Sequence, residues 1–291
     1  MKINVRRGLF KCALLVALLA VSPQIAAEAL PEITWIVPVF PPATIATAGG
    51  SVGGLGYADR ALALVIQRTP EFDHKIQRVN LARFVLLAEK QDGICNPALL
   101  MTPDREQILV FSDPAYPTLG HRLITTAKGA EKIRPLLSKN GALKLDDLEA
   151  LPDLMIGHGR TRVFGVEIDA FLRRMDERRL TYDVNSTSTA IRMLSLQRID
   201  YTFATPVEAG YYLQQDDQSA DTMLTSFAVE GVPHLMEGRF ACSKGPIGHE
   251  MIARINALIP TAEFKKSWWP AYEGWLDENA RRDATALVPT H

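Results

Sequence analysis

Two hydrophobic periods alternate along this chain, and they predict strands and helices in turn. Residues 33–37 (ITWIV) are β-branched and aromatic, and the run stops at Pro38, as a strand does. Between Tyr57 and Arg68, apolar residues recur at helical spacing until a Thr-Pro pair follows. Strands that alternate with helices predict an α/β protein with a mostly parallel sheet.

The same alternation is repeated further along the chain. A weak strand is predicted at residues 76–79, a helix from Leu81 and an apolar run at 98–101. After about residue 140 the pattern starts again, with strand and helix signals up to and beyond Pro206. We therefore expect two α/β lobes, and the extended residues 118–126 predict a strand that crosses between them.

The first 27 residues have the pattern of a secretory signal. Four basic residues accompany an apolar run at residues 13–21 that is too short to span a bilayer, and cleavage after Ala27 or Ala29 suits signal peptidase. No later stretch reaches the roughly 20 apolar residues of a membrane span. Losing the signal changes the formal net charge from −1 to −5, because it carries four basic residues and no acidic one. We expect an exported protein that does not bind nucleic acid.

Cysteine usage leaves two alternatives open. Cys12 belongs to the signal, so Cys95 and Cys242 remain in a compartment where disulfides persist. A bridge between them is one interpretation, and two buried free thiols are the other.

Motifs for catalysis and for cofactors are absent from the sequence. The glycine-rich segment at residues 49–56 lacks the third glycine of a dinucleotide fingerprint and follows a loop instead of a strand. Neither Gly-x-Ser-x-Gly, His-Glu-x-x-His nor Cys-x-x-Cys occurs, and the histidines lack zinc-binding spacing. The sequence predicts no cofactor and no metal.

An arginine stands at the start of a predicted short helix. Thr102 is a suitable N-cap, Pro103 suits the first helical position and Asp104 complements the helix dipole. Arg105 does not suit that place, because a cation in the first turn is unfavourable unless an anion lies nearby. The alternative is a surface arginine paired with Asp104 or Glu106.

A second loop suited to anions lies in the other predicted lobe. Residues 157–162 (GHGRTR) follow a predicted strand and precede a predicted helix, a context in which backbone N–H groups collect an anionic group. Arg160 and Arg162 favour this interpretation, and two solvated surface arginines are the alternative.

Three segments carry a resemblance to a known family. They are Phe40-Pro41-Pro42 after the first strand, Gly56-Tyr57-Ala58-Asp59 at the first helix, and residues 99–116, where an apolar strand precedes Thr-x-x-Arg and Phe-Ser-Asp-Pro-Ala-Tyr. Over the whole mature chain these features resemble the family-3 periplasmic solute-binding proteins, which include the amino-acid receptors of ABC importers. The resemblance implies a two-lobed type II periplasmic-binding fold.

The resemblance also implies a ligand site. The implied ligand-binding residues are Phe40, Thr102, Arg105, Tyr116, Gly159, Arg160, Thr161, Arg162 and Thr205. In the family, the arginine that matches Arg105 clamps the ligand carboxylate, and an aspartate binds the ligand ammonium. Thr205 stands at the place of that aspartate, so the ammonium loses its expected counterion unless Glu208 replaces it.

The resemblance implies an exported, monomeric binding protein that closes on a small carboxylate-bearing or anionic solute. Lobe 1 would comprise residues 31–120 and 240–291, lobe 2 residues 121–239, and two crossing strands would form the hinge. The partner would be an inner-membrane permease of an ABC importer or a sensory receptor.

An enzyme is the alternative function. The same fold hosts periplasmic dehydratases, in which a cleft carboxylate does general acid–base work. Glu208, Glu237 and Asp59 are the candidates in this sequence.

Overall fold

In the computed structural model of this chain, the strands form two separate β-sheets with helices packed against both. The described residues are 29–46, 55–151, 154–159, 162–177, 181–216 and 222–288. The predicted signal, residues 1–27, lies outside this set. Pro31–His291 form one compact unit, to which all elements below belong.

The strands and helices alternate along most of the chain, as the hydrophobic pattern predicts. The strands are β1 (Glu32–Ile36), β2 (Asp73–Gln77), β3 (Ile94–Leu100), β4 (Leu109–Phe111), β5 (Tyr116–Leu119), β6 (Arg122–Thr126), β7 (Ile156–His158), β8 (Thr181–Asp183), β9 (Tyr201–Ala204), β10 (Leu224–Phe227) and β11 (Leu235–Ser243). The helices are α1 (Tyr57–Arg68), α2 (Leu81–Ala88), α3 (Pro103–Glu106), α4 (Ala127–Ile133), α5 (Leu145–Glu149), α6 (Val166–Glu177), α7 (Thr187–Ser195), α8 (Pro206–Gln214), α9 (Pro246–Leu258), α10 (Ala262–Glu273) and α11 (Glu278–Leu287).

Both sheets are mixed, whereas the sequence pattern predicts mostly parallel ones. The first sheet has the order β2-β1-β3-β11-β4, with β5 also paired to β11, and the second has the order β10-β6-β9-β7-β8. Strands β1, β2 and β3 pair in parallel, as do β7, β8 and β9. Strands β11, β10 and β6 pair antiparallel with their neighbours because the chain crosses between the sheets there.

The chain crosses between the sheets twice. It leaves the first sheet at β5, enters the second at β6, and returns from β10 to β11. The predicted crossing strand at residues 118–126 is thus two strands separated by Gly120 and His121. The two crossings touch, because the Gly120 N–H donates to the His234 carbonyl oxygen at 2.9 Å. A Cβ on Gly120 would lie 2.2 Å from the Pro233 carbonyl oxygen, which only glycine avoids.

Aromatic residues of α10 form part of the core of the first sheet's half of the molecule. Trp268 and Tyr272 on α10 are buried and pack in the same cluster as Trp35 and Phe240. The Tyr272 hydroxyl accepts a hydrogen bond from the Leu119 N–H at 2.8 Å, which ties α10 to β5 next to the crossing.

Cys95 and Cys242 form a disulfide. They are directly opposed on the neighbouring strands β3 and β11, with Cα atoms 4.1 Å apart. Of the two alternatives that the sequence leaves open, the structure contains the bridge. It links positions separated by 147 residues inside the first sheet.

Candidate ligand-binding site

A cavity of about 750 Å³ lies against the first sheet. Its walls come from the loop after β1, from α1, from the chain between β2 and α2, from β3 and α3, and from β5 and β11. The lining residues are Pro38, Val39, Phe40, Ala43, Thr44, Tyr57, Arg78, Val79, Asn80, Leu81, Asn96, Ala98, Leu99, Leu100, Arg105, Tyr116, Thr118, Met236 and Gly238. Most of these side chains are apolar, and two carry a positive charge.

Arg105 is placed at this cavity by the local sequence. The Thr102 hydroxyl caps α3 by accepting from the Arg105 N–H at 3.4 Å, and Pro103 is the first helical residue, as predicted. The guanidinium Nη1 donates to the Leu100 carbonyl oxygen at 2.7 Å. Thr102 itself is exposed and is not among the residues that line the cavity.

The guanidinium of Arg105 has no carboxylate partner among the described residues. The alternative pairing with Asp104 or Glu106 is therefore not formed in this structure. Partial burial lowers the pKa of Arg105 from its usual value, because desolvation disfavours the charged form. Arg105 lies at an apolar wall, and its guanidinium has further N–H donors besides the one bonded to Leu100. Such a guanidinium can bind a planar carboxylate through two parallel hydrogen bonds.

The second cation of the cavity, Arg78, was not found by sequence reasoning. Its Nη2 lies 3.3 Å from Oδ1 of Asp59, which is 2% exposed. Burial raises the pKa of the Asp59 carboxyl, while the Ile45 N–H, which donates to Oδ2 at 2.8 Å, and the charge of Arg78 oppose that increase. The pair is formed across 19 residues, so no local motif announces it.

Two predicted aromatic contacts lie at opposite depths of the cavity. Phe40 is 63% exposed, at the mouth, whereas Tyr116 is 1% exposed and packs edge-on against Tyr57 with ring centroids 5.7 Å apart. Burial raises the pKa of Tyr116 well above its usual value. Phe40 can therefore reach a ligand directly, while Tyr116 forms part of the floor.

Three other predicted site residues, Gly159, Arg162 and Thr205, belong to the second sheet's half of the molecule. Gly159 follows β7, and Arg160 and Thr161 lie outside the described residues. Arg162 and Thr205 are described, but neither they nor Gly159 line the 750 Å³ cavity. The structure thus brings Phe40, Arg105 and Tyr116 together at one cavity and places Gly159, Arg162 and Thr205 in a separate group.

Arg162 and Glu208 form the centre of that second group. Arg162 Nη2 lies 2.7 Å from Glu208 Oε2, its Nη1 donates to the Thr187 hydroxyl, and its guanidinium lies 5.2 Å from the centre of the Phe164 ring. Thr205 and Glu208 form a capping box at the start of α8. Glu208 is therefore held both by its own helix and by an arginine 46 residues away.

His121, at the crossing from β5 to β6, completes this group. Its ring is edge-on to Phe164, with centroids 5.2 Å apart. Burial lowers the pKa of His121, the charge of Arg162 lowers it further, and the Glu208 carboxylate opposes both. A histidine in a crossing segment carries no sequence signal of its own, and the sequence pattern did not single it out.

The described residues hold no cluster of three or more His, Cys, Asp or Glu side chains placed to bind a metal ion. None of the helices in the described part of the chain is both long enough and apolar enough to cross a bilayer.

Comparison with known proteins gives matches among solved structures. The chain is similar to substrate binding domain 2 of Lactococcus lactis GlnP in an open conformation (14% identity, 86% of this chain and 96% of that chain, TM-score 0.59). It is also similar to the unliganded L-cystine solute receptor of Neisseria gonorrhoeae (12% identity, 85% and 93%, TM-score 0.58). A third is a probable amino-acid ABC transporter extracellular-binding protein of Bacillus subtilis (14% identity, 86% and 100%, TM-score 0.56).

No family model matches the sequence, and no curated protein matches it. The chain has the two-lobed α/β fold of periplasmic amino-acid-binding proteins, so the predicted fold class is confirmed. Identities of 12–14% show the fold alone and leave the solute to be argued from the site.

Proposed function

We propose that this chain is an exported solute-binding protein that closes its two lobes on a small carboxylate-bearing solute. The observation that carries the proposal is Arg105, a guanidinium without a carboxylate partner among the described residues at the edge of an apolar cavity. Such a cation can bind a carboxylate through two parallel charge-assisted hydrogen bonds, which are about twice as strong as hydrogen bonds between neutral groups.

Closure would act at the two crossings. Gly120 and His234 hold the crossings together by one backbone hydrogen bond, and a hinge needs only a few such residues to absorb the motion. The sequence-based bounds are residues 31–120 and 240–291 for lobe 1 and 121–239 for lobe 2. Because β11 (Leu235–Ser243) lies wholly in the first sheet, we propose that lobe 2 ends at the second crossing, near His234. Closure would bring the group around Gly159, Arg162 and Thr205 towards the solute.

Binding is favoured over catalysis by the state of the candidate carboxylates. Glu208 is paired with Arg162 at 2.7 Å, and Asp59 with Arg78 at 3.3 Å. Glu237 is exposed and paired with Arg239 at 2.7 Å. None of these three carboxylates lines the 750 Å³ cavity. A general acid or base must lie within hydrogen-bond reach of the proton that it transfers.

The compartment and the partner follow from the same proposal. The signal pattern at residues 1–27 supports a periplasmic protein. The partner would be an ABC permease, by analogy with the probable amino-acid ABC transporter extracellular-binding protein of Bacillus subtilis, or a sensory receptor. The chain would act as a monomer. Fractionation of cells that produce the full chain should place the shortened protein in the periplasm, and its retention in the cytoplasm would contradict this part of the proposal.

Native mass spectrometry of the freshly purified protein tests the binding function. We expect an additional mass that corresponds to a small organic acid, released by partial unfolding and refolding. Isothermal titration with that acid should then show one site per chain, and turnover of the acid during the titration would favour an enzyme instead.

A further inference from the structure

We propose that the solute is a carboxylic acid with an apolar body and without an ammonium group. The inference rests on the proposed function and makes its solute class specific. This solute class differs from the ligands of receptors for free amino acids, which carry both a carboxylate and an ammonium group.

No acidic residue lines the cavity in the described part of the chain. The two charged side chains that line it are Arg105 and Arg78, and Asp59 behind Arg78 neutralises only one of them. The wall that would surround a bound solute therefore carries a net positive charge. An ammonium placed there would meet like charge and lose its hydration without a counterion, which is costly.

Asp59 does not supply that counterion. It is 2% exposed, and its two oxygens already accept hydrogen bonds from the Ile45 N–H and from Arg78. It does not line the cavity itself. An ammonium would have to displace Arg78 to reach it.

The acid of the second group, Glu208, is already engaged. The Thr205 hydroxyl lies 2.9 Å from Glu208 Oε2 within the capping box. Glu208 is 8% exposed and holds Arg162 at 2.7 Å. An ammonium that approached Glu208 would therefore have to break a buried ion pair and would be repelled by the guanidinium.

Two polar side chains of the cavity wall, Asn96 and Asn80, already bind backbone groups. The Asn96 side chain donates to the Ile36 carbonyl oxygen at 3.0 Å and accepts from the Ala98 N–H at 3.0 Å. The Asn80 side chain caps α2 by accepting from the Arg83 N–H at 2.9 Å. Among the described residues, the Tyr116 hydroxyl and Nε and Nη1 of Arg78 lack a hydrogen-bond partner. The N–H groups of Arg78 can donate to a carboxylate but not to an ammonium, which has no acceptor.

The rest of the wall suits an aliphatic or aromatic body. Phe40, Leu81, Leu99 and Met236 contribute apolar surface from four different segments around Arg105. Burying such surface contributes about 25 cal/mol per Å². Charge at one end and apolar contact elsewhere define a monocarboxylate of medium size.

Titration calorimetry with paired acids at pH 7 tests this solute class. 4-Methylpentanoate is compared with L-leucine, and 3-phenylpropanoate with L-phenylalanine, because each pair differs only by the ammonium group. Gluconate and acetate are the controls for the apolar body. We expect at least one of the two ammonium-free acids to bind about tenfold or more tighter than its amino acid and than both controls, and Arg105→Ala to abolish that binding.

The outcomes separate the inference from the proposed function. Equal or tighter Arg105-dependent binding of an amino acid would overturn the inference and leave a carboxylate-binding protein. If gluconate bound more tightly than the two ammonium-free acids, the proposal that the solute has an apolar body would likewise be overturned. Absence of binding by all six probes would overturn both.

Discussion

Arg162 Nη2 lies 2.7 Å from Oε2 of Glu208, whereas Arg105 has no carboxylate within reach among the described residues. The two arginines that the sequence places on opposite lobes thus differ in charge balance. Arg162 and Glu208 neutralise each other, whereas no carboxylate among the described residues neutralises Arg105. This difference in charge distinguishes the cavity at the first sheet from the group around Arg162.

Removing the charge of Glu208 should destabilise the protein. In Glu208→Gln, glutamine still suits the capping box, but Arg162 loses its counterion in a mostly buried position. We expect a loss of about 2 kcal/mol in the free energy of unfolding, measured by urea denaturation. Glu237→Gln, in an exposed pair, should cost less than about 1 kcal/mol. Equal effects of the two substitutions would contradict a structural role of the buried pair.

The stability of the protein should fall in mildly acidic solution because of His121. Its pKa is lowered from 6.5 in the folded state, mainly by burial. The folded state therefore binds fewer protons than the unfolded state. The contribution of neutral His121 to the free energy of unfolding is complete above the usual pKa and is lost as the pH falls through the lowered pKa. His121→Gln should show a smaller loss of stability than the wild type when the pH falls from about 7 to about 5. The exposed His249→Gln is the control, and parallel pH profiles for all three proteins would refute this role.

The disulfide should contribute strongly to stability. Cys95 and Cys242 close a loop of 147 residues, and such links restrict the unfolded chain. Reduction, or the double substitution Cys95→Ala with Cys242→Ala, should lower the free energy of unfolding by roughly 2–5 kcal/mol. Urea denaturation with and without dithiothreitol measures this. The double variant should no longer respond to the reductant, and an unchanged wild-type midpoint would count against the bridge.

The Tyr272 hydroxyl should contribute to the stability of the protein although Tyr272 does not line the cavity. In Tyr272→Phe, the buried Leu119 N–H loses its acceptor, which costs about 1–2 kcal/mol. Thermal denaturation followed by circular dichroism measures the effect. Tyr182→Phe removes an exposed hydroxyl and should be nearly neutral. A neutral Tyr272→Phe would mean that water replaces the lost acceptor.

Local sequence chemistry predicted the parts of the fold that depend on neighbours in the chain. α1 has the predicted bounds, and Thr102 caps α3 as its sequence requires. Ser186 likewise caps α7 by accepting from the Thr189 N–H. These features follow from hydrogen bonds within four residues, so the sequence contains all that is needed.

Contacts between distant segments could not be predicted in the same way. Arg78 meets Asp59 and Arg162 meets Glu208 only after the sheets have formed, and nothing in the spacing of these residues selects one partner over another. The antiparallel pairing of β11 has the same origin, because it depends on where the returning chain enters the first sheet. The sequence therefore predicted the cation at Arg105 but not the ion pair with Glu208 that neutralises Arg162.

Native mass spectrometry of the wild type and of Arg105→Ala, purified side by side, tests the central claim most directly. Arg60→Ala, an exposed arginine of α1 outside the cavity, is the matched control. Loss of the clamp should weaken solute binding by about 2 kcal/mol or more, roughly 30-fold. We predict that a small-acid adduct is present on the wild type and Arg60→Ala and absent from Arg105→Ala. Equal occupancy in all three proteins would contradict the assignment of Arg105 as the carboxylate clamp.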